Sequence, residues 1–186
     1  MQEAARARTI EVGPCRRLRA TRKAPRRLPG DNALVIDRRA PVLTHSWLGS
    51  LYRSGDQELI GSIELDPAIR PPRDNGDRDA EVLLEVGAIE PGPELDAHLD
   101  ACAARIRRAL DRLPDLKRYA LDHAPPGWVQ YYAAQPGLPL VDRLFLEGFQ
   151  VSRQLLVSLD FDFGDLDLLV VRLDPAGNGE AVFLQA

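Results

Sequence analysis

An α+β fold, with an antiparallel sheet packed against one long and one short helix, is the architecture this chain predicts. Three observations predict it. Towards the C-terminus, apolar side chains fall at every second position (Leu155, Val157, Leu159, Phe161, Phe163), the period of a strand with one face in a core. In the middle of the chain, Leu95, Leu99, Cys102, Ile106, Leu110 and Leu113 form one narrow apolar stripe at helical spacing. Strand-like stretches stand before that helix as well as after it, so helices and strands are segregated rather than alternating.

Taken in order, Asn32 opens a globular composition, and Ala33-Leu34-Val35-Ile36 is a short apolar run fit for a first strand or a segment packed on the core. Residues 42–53, with Trp47, Leu48, Leu51 and Tyr52, and residues 58–66, which alternate, read as a hairpin looping near Gly55. Pro67 to Asp79 holds three prolines and a glycine and reads as a surface loop. Residues 81–89 read as a strand, with Val82, Leu84 and Val86 on one face and Leu83 and Ile89 on the other. The helix is expected from Glu94 to Leu113. Glu94, Asp96 and Asp100 lie in its early turns and Arg105, Arg107, Arg108 and Arg112 in its later ones, which complements the helix dipole. Pro114 marks its end or a kink, and a second, short helix covers residues 115–123. Pro125-Pro126-Gly127 then starts an aromatic loop carrying Trp128, Tyr131 and Tyr132 up to Pro136-Gly137. Residues 141–149 make a turn and a strand with Leu144, Leu146 and Phe149. The closing meander has strands at 155–163, at 166–173 and at 181–185. The middle one is apolar on both faces, as a central strand is, and Asp174-Pro175-Ala176-Gly177-Asn178-Gly179 supplies the last turn.

Length and composition bound the rest. The 186 residues suit one domain, and 45% apolar with 28% charged content excludes a wholly disordered chain. Two cysteines, Cys15 and Cys102, stand far apart without metal-ligand spacing, so a reducing cytoplasm is the expected compartment. No window approaches the length of a membrane span, and the opening Met1-Gln2-Glu3-Ala4-Ala5-Arg6 lacks a secretory apolar core. Charge is sharply divided. Nine basic residues against Glu3 and Glu11 give residues 1–30 a charge of +7, and 15 basic against 26 acidic give the remainder −11. Pro14, Pro25 and Pro29 interrupt the first stretch and few large apolar residues occur in it. A mostly disordered basic extension (1–30) ahead of a single α+β domain (31–186) is therefore expected. Arg16, Arg17, Arg19, Arg22, Arg26 and Arg27 would let that arm bind nucleic acid through phosphates. Alternatively the arm neutralises part of its own acidic domain, or is a plain extension from an upstream start; it holds no aromatic residue to stack on bases.

The order of parts, together with Leu159-Asp160-Phe161-Asp162-Phe163-Gly164-Asp165-Leu166-Asp167-Leu168-Leu169-Val170-Val171-Arg172-Leu173-Asp174, resembles small bacterial α+β families of unknown function. In those families, strands ending in an acidic residue continue through a glycine-containing turn into a final strand. The resemblance covers residues 43–186 in layout and about 165–184 in motif; residues 1–30 have no counterpart in it. Such families are associated with the immunity proteins that neutralise polymorphic toxins. The resemblance therefore implies a non-catalytic binding protein that masks a toxin, and the acidic charge of residues 31–186 suits a basic protein partner.

Candidate chemistry is sparse. Asp160, Asp162, Asp165 and Asp167 flank Gly164 and supply oxygen ligands that a Mg²⁺ or Ca²⁺ enzyme would need, or they protect a hairpin end from edge pairing. The alternating ligand spacing of a calcium loop closed by Glu is missing. His98 and Cys102 stand four apart on one helix, compatible with two zinc ligands or with a buried thiol beside a boundary imidazole. There is no Gly-x-Ser-x-Gly and no Gly-x-x-x-x-Gly-Lys, and no cofactor is implied. Trp128, Tyr131 and Tyr132 are the candidate partner anchors, since aromatic residues often dominate interface energies. The alternative is that they cap the helices. Oligomeric state has no signal in the sequence.

Overall fold

The computed structural model describes residues 41–67, 69, 79–87, 90–162 and 168–185. The basic extension, the run at 33–36, most of the loop after Pro67 and the hairpin tip at 163–167 lie outside the described residues. The described residues form an eight-stranded sheet whose spatial order follows the sequence: β1 (Leu43–His45), β2 (Gly49–Arg53), β3 (Glu58–Glu64), β4 (Asp79–Glu85), β5 (Phe145–Val151), β6 (Val157–Asp162), β7 (Leu168–Leu173) and β8 (Gly179–Gln185). Every neighbouring pair is antiparallel except β4 and β5, which run parallel. Two meanders therefore meet at one parallel seam. Parallel neighbours need a long crossover, and α1 (Pro93–Asp111), α2 (Leu113–His123), α3 (Pro126–Ala133) and α4 (Leu140–Arg143) fill it. The α+β class is as expected. The helical layer differs, having two further short helices beside the 19-residue α1 and the 11-residue α2.

Each departure has a local cause. The segment holding Trp128, Tyr131 and Tyr132 is helical, not a loop: Pro126 sits at the start of α3, where a missing N–H costs nothing, so Pro125-Pro126-Gly127 begins a helix rather than breaking one. The break between α1 and α2 falls at Arg112, whose N–H bonds back to the Ala109 and Leu110 carbonyls, and Pro114 occupies the first turn of α2. The strand expected from Leu155 begins only at Val157. Leu155 has φ 61° inside a turn closed by Ser152 N–H to Leu156 O at 2.9 Å, a conformation a leucine tolerates poorly and tertiary packing imposes. β4 starts two residues earlier than expected and ends at Glu85, before Gly87 with φ 76°.

One buried cluster joins sheet and helices. Val157, Leu159 and Phe161 of β6 lie in it with Leu95, Leu99 and Ile106 of α1, as the matched apolar faces predict, while Leu110 and Leu155 pack against its margin and Phe163 lies outside the described residues. The same cluster takes Leu59 and Ile63 of β3, Val82 and Leu84 of β4, Phe149 and Val151 of β5, and Leu169, Val171 and Leu173 of β7. Helices thus cover one face of the sheet. Polar clasps hold the layers in register. Arg105 donates to the Pro175 carbonyl, and Arg112 donates to Gly177 O at 2.7 Å and to Asn178 Oδ1 at 3.0 Å, tying the α1–α2 corner to the β7–β8 turn. At the other end, His45 Nδ1 accepts from the backbone N–H groups of Trp47 and Leu48 at 3.2 and 3.1 Å. That leaves Nε2–H to donate to Asp100 of α1 at 3.2 Å. The Arg107 guanidinium lies over the Trp47 ring, 4.7 Å from its centroid, and closes the same contact.

Candidate functional site

The sheet face turned away from the helices carries the polar chemistry. Residues paired across strands share a face, so the register defines rows. One row runs Ser62, Glu81, Gly148, Asp160, Val170, Phe183 from β3 to β8. The next runs Ile60, Leu83, Gln150, Ser158, Arg172, Ala181. Two flanking pairs set carboxylates opposite each other: Glu58 with Glu85, and Glu64 with Asp79. Like charges directly opposite cost stability in a sheet, and Glu85 offsets part of that cost by accepting from the Arg153 backbone N–H at 3.3 Å. Acidic side chains dominate this face, and Arg172 is its basic member in these rows. Ile60, Leu83, Val170 and Phe183 lay apolar surface among them; Ile60 and Val170 are buried although outside the helix-side cluster, and Phe183 is 39% exposed.

Asp160 is the unusual group in that face. It is 9% exposed, and one carboxylate oxygen accepts from Gln150 Nε2 at 3.0 Å while Oδ1 accepts no hydrogen bond from the described residues. Burial pushes its pKa up, the Gln150 hydrogen bond pulls against that, and the charge of Glu81 adds a further push upward. Asp162, two residues on, is buried as well. The alternation of Val157, Leu159 and Phe161 puts both aspartates on the outer face, and both are buried there. Asp165 and Asp167 lie outside the described residues, so the four-aspartate cluster expected to suit a metal is described only in part. Among the described residues no three His, Cys, Asp or Glu side chains come together in a metal-holding group. The cleft on this face is lined by Leu83, Glu85, Gln150, Ser158 and Arg172, without Asp160 or Asp162.

The aromatic candidates are placed on α3. Tyr132 is buried, Trp128 is half-buried against the core, and Tyr131 stands 62% exposed. Trp128 and Tyr132 meet edge to face at 4.8 Å, and Tyr131 meets Tyr132 in the same way at 5.1 Å. Arg143 donates to Tyr132 O at 2.9 Å and to Gln135 Oε1 at 2.9 Å, pinning the end of α3. Tyr131 is therefore the exposed ring of the three, packed on Tyr132, which in turn meets Trp128. The arginines of the basic arm (Arg16, Arg17, Arg19, Arg22, Arg26, Arg27) lie outside the described residues.

The thiol and imidazoles do not converge. Cys102 is fully buried and its pKa is pushed up to about 12 by desolvation, so it is neutral at physiological pH. His98, the other half of the zinc reading, points Nε2–H at the Glu85 carbonyl at 3.2 Å. In a Cys15→Ser background the native protein is expected to leave Cys102 unmodified by a thiol reagent at about pH 8, with rapid labelling after denaturation. Fast labelling of the folded protein would show an accessible thiolate instead.

No protein-family model, no curated protein and no solved structure matches this chain. Among the described residues no helix is long and apolar enough to cross a membrane. Sequence reasoning missed Glu58, Glu81 and Glu85 as a group. Their signal was present as acidic residues at even spacing, Glu58 and Glu64 in one strand and Asp79, Glu81 and Glu85 in another, but nothing local says that those strands become neighbours.

Proposed function

We propose that this chain is a non-catalytic binding protein of the immunity type, whose acidic sheet face masks a basic protein partner. The observation that carries the reading is the row structure of that face, with Glu58, Glu81, Glu85 and Asp160 across three strands and Arg172 as the basic member. Predominantly negative charge with apolar residues between suits an interface: complementary charge speeds association and rejects wrong partners, while the partly exposed Leu83 and Phe183 give it area to bury. The layout resemblance to immunity-associated bacterial families points the same way, and the exposed Tyr131 offers a second contact. A reduced, buried Cys102 fits a cytoplasmic setting.

The test is affinity capture of a native partner at low salt, followed by titration of that partner against the full chain and against E58Q/E81Q/E85Q. The captured protein should be basic. The triple substitution should weaken binding about tenfold or more at low salt and much less at high salt, where rim charges are screened. A partner bound equally well by both forms at every salt concentration would refute the reading. Selective capture of nucleic acid would replace it with recognition through the arginine-rich arm.

A further inference from the structure

We propose that Lys117 is a nucleophilic amine in an apolar pocket, where it takes up a small aliphatic aldehyde reversibly as an imine. The site lies in the helical layer, across the sheet from the acidic face, so it stands or falls independently of the binding-protein reading. The sequence singles the residue out. Of the chain's 24 basic residues only Lys23 and Lys117 are lysines, and Lys117 is the one lysine among the described residues. Every other cation is an arginine, whose guanidinium stays charged and does not attack carbonyl groups. A lysine amine differs in that it can lose its proton and become a nucleophile.

The pocket has a volume of about 530 Å³, a size usual for small-molecule sites, and lies where the end of α1, the start of α2 and α4 meet. Ile69, Leu110, Leu113, Pro114 and Val141 make its apolar wall. Leu113 and Lys117 stand four apart on α2, so the lysine shares the helix face that carries this wall. Lys117 is half-buried, and no described residue accepts a hydrogen bond from its amine or pairs with it directly. The adjacent Arg118, in contrast, is engaged by Asp115 at 2.5 Å and by the Pro114 carbonyl at 3.3 Å. Burial lowers the Lys117 pKa, against a weaker upward pull from the charge of Asp142, and so raises the share of neutral, nucleophilic amine. Asp111 and Asp142 also line the pocket and would repel an anionic ligand, so an uncharged electrophile with an apolar tail fits it. In the reaction the nitrogen lone pair forms a bond to the carbonyl carbon while the C=O π pair moves to oxygen. The resulting carbinolamine loses that oxygen as water, together with both amine protons, and leaves a C=N bond. Hydrolysis reverses the step.

The experiment incubates the full-length protein with hexanal at neutral pH in the presence of cyanoborohydride, which reduces an imine to a stable secondary amine. Peptide mass spectrometry then compares alkylation of Lys117 with that of Lys23 in the same molecule. In the folded protein Lys117 should be alkylated at least about fivefold more than Lys23, and in denaturant, where burial is gone, about equally. Acetaldehyde has no tail for the apolar wall, and with it the excess at Lys117 should fall to about twofold or less. Equal alkylation of the two lysines in the folded protein would overturn the proposal. So would an excess at Lys117 that persists in denaturant, since local sequence rather than the pocket would then set the reactivity. An excess as large with acetaldehyde as with hexanal would remove the pocket from the account, and the aldehyde site with it.

Discussion

Phe161→Ala is expected to cost about 3–5 kcal/mol of folding stability, and Ile106→Ala about 2–5 kcal/mol. Both side chains are fully buried in the cluster shared by β6 and α1. Truncation loses their transfer free energy and leaves a cavity that the surrounding sheet and helix, already close-packed, fill only in part. Phe183→Ala provides the contrast. It removes an aromatic ring of similar size from a side chain that is 39% exposed at the sheet edge, and should cost under about 1 kcal/mol. Chemical denaturation of the three variants with a common m-value measures this directly. Similar losses at Phe161 and Phe183 would mean that the helix layer does not sit on the face carrying Phe161.

Gly179→Ala should destabilise the protein by about 1–3 kcal/mol, an overpacking cost at a site with no open space. A Cβ there would stand 2.3 Å from two atoms of the Tyr119 ring. Tyr119 cannot simply swing aside, because its ring stacks on His123 at 4.0 Å and the His123 imidazole bonds to the Tyr119 carbonyl at 2.9 Å. The substitution therefore pushes α2 away from β8, and the Arg112 contacts to Gly177 and Asn178 loosen with it. In a domain of this size the expected fall in unfolding temperature is about 3–10 °C. Tyr119→Ala in the same background should recover part of the loss, since it removes the clashing ring. No recovery would place the strain elsewhere.

Much of the architecture was legible in the sequence. The stripe from Leu95 to Ile106 and the alternation of Val157, Leu159 and Phe161 each name an apolar face, and two such faces in one short chain have little choice but to bury each other. The turn at Asp174–Gly179 was legible for a similar reason. Its residues favour the turn on their own, with Asp174 accepting from the Asn178 backbone at 2.8 Å and Gly177 holding φ 85°. The aromatic stretch was misread because Pro-Pro-Gly looks alike at the end of a helix and at the start of one. Only the packing of Trp128 and Tyr132 against their neighbours decides between the two.

What the sequence by itself determined is therefore the faces: which side chains of each strand and helix must leave water, and where the chain must turn. Those depend on periodicity and on residues within a few positions of one another. The tertiary structure alone decided which strands are neighbours, and with that the candidate site. Glu81 and Asp160 belong to separate meanders, and they flank Gly148 only because β5 returns parallel to β4 through a four-helix crossover. Strand choice and register are set by the total burial of many distant residues at once, a balance that no local pattern reports. The same non-local packing buries Asp160 on the face its alternation marks as outward.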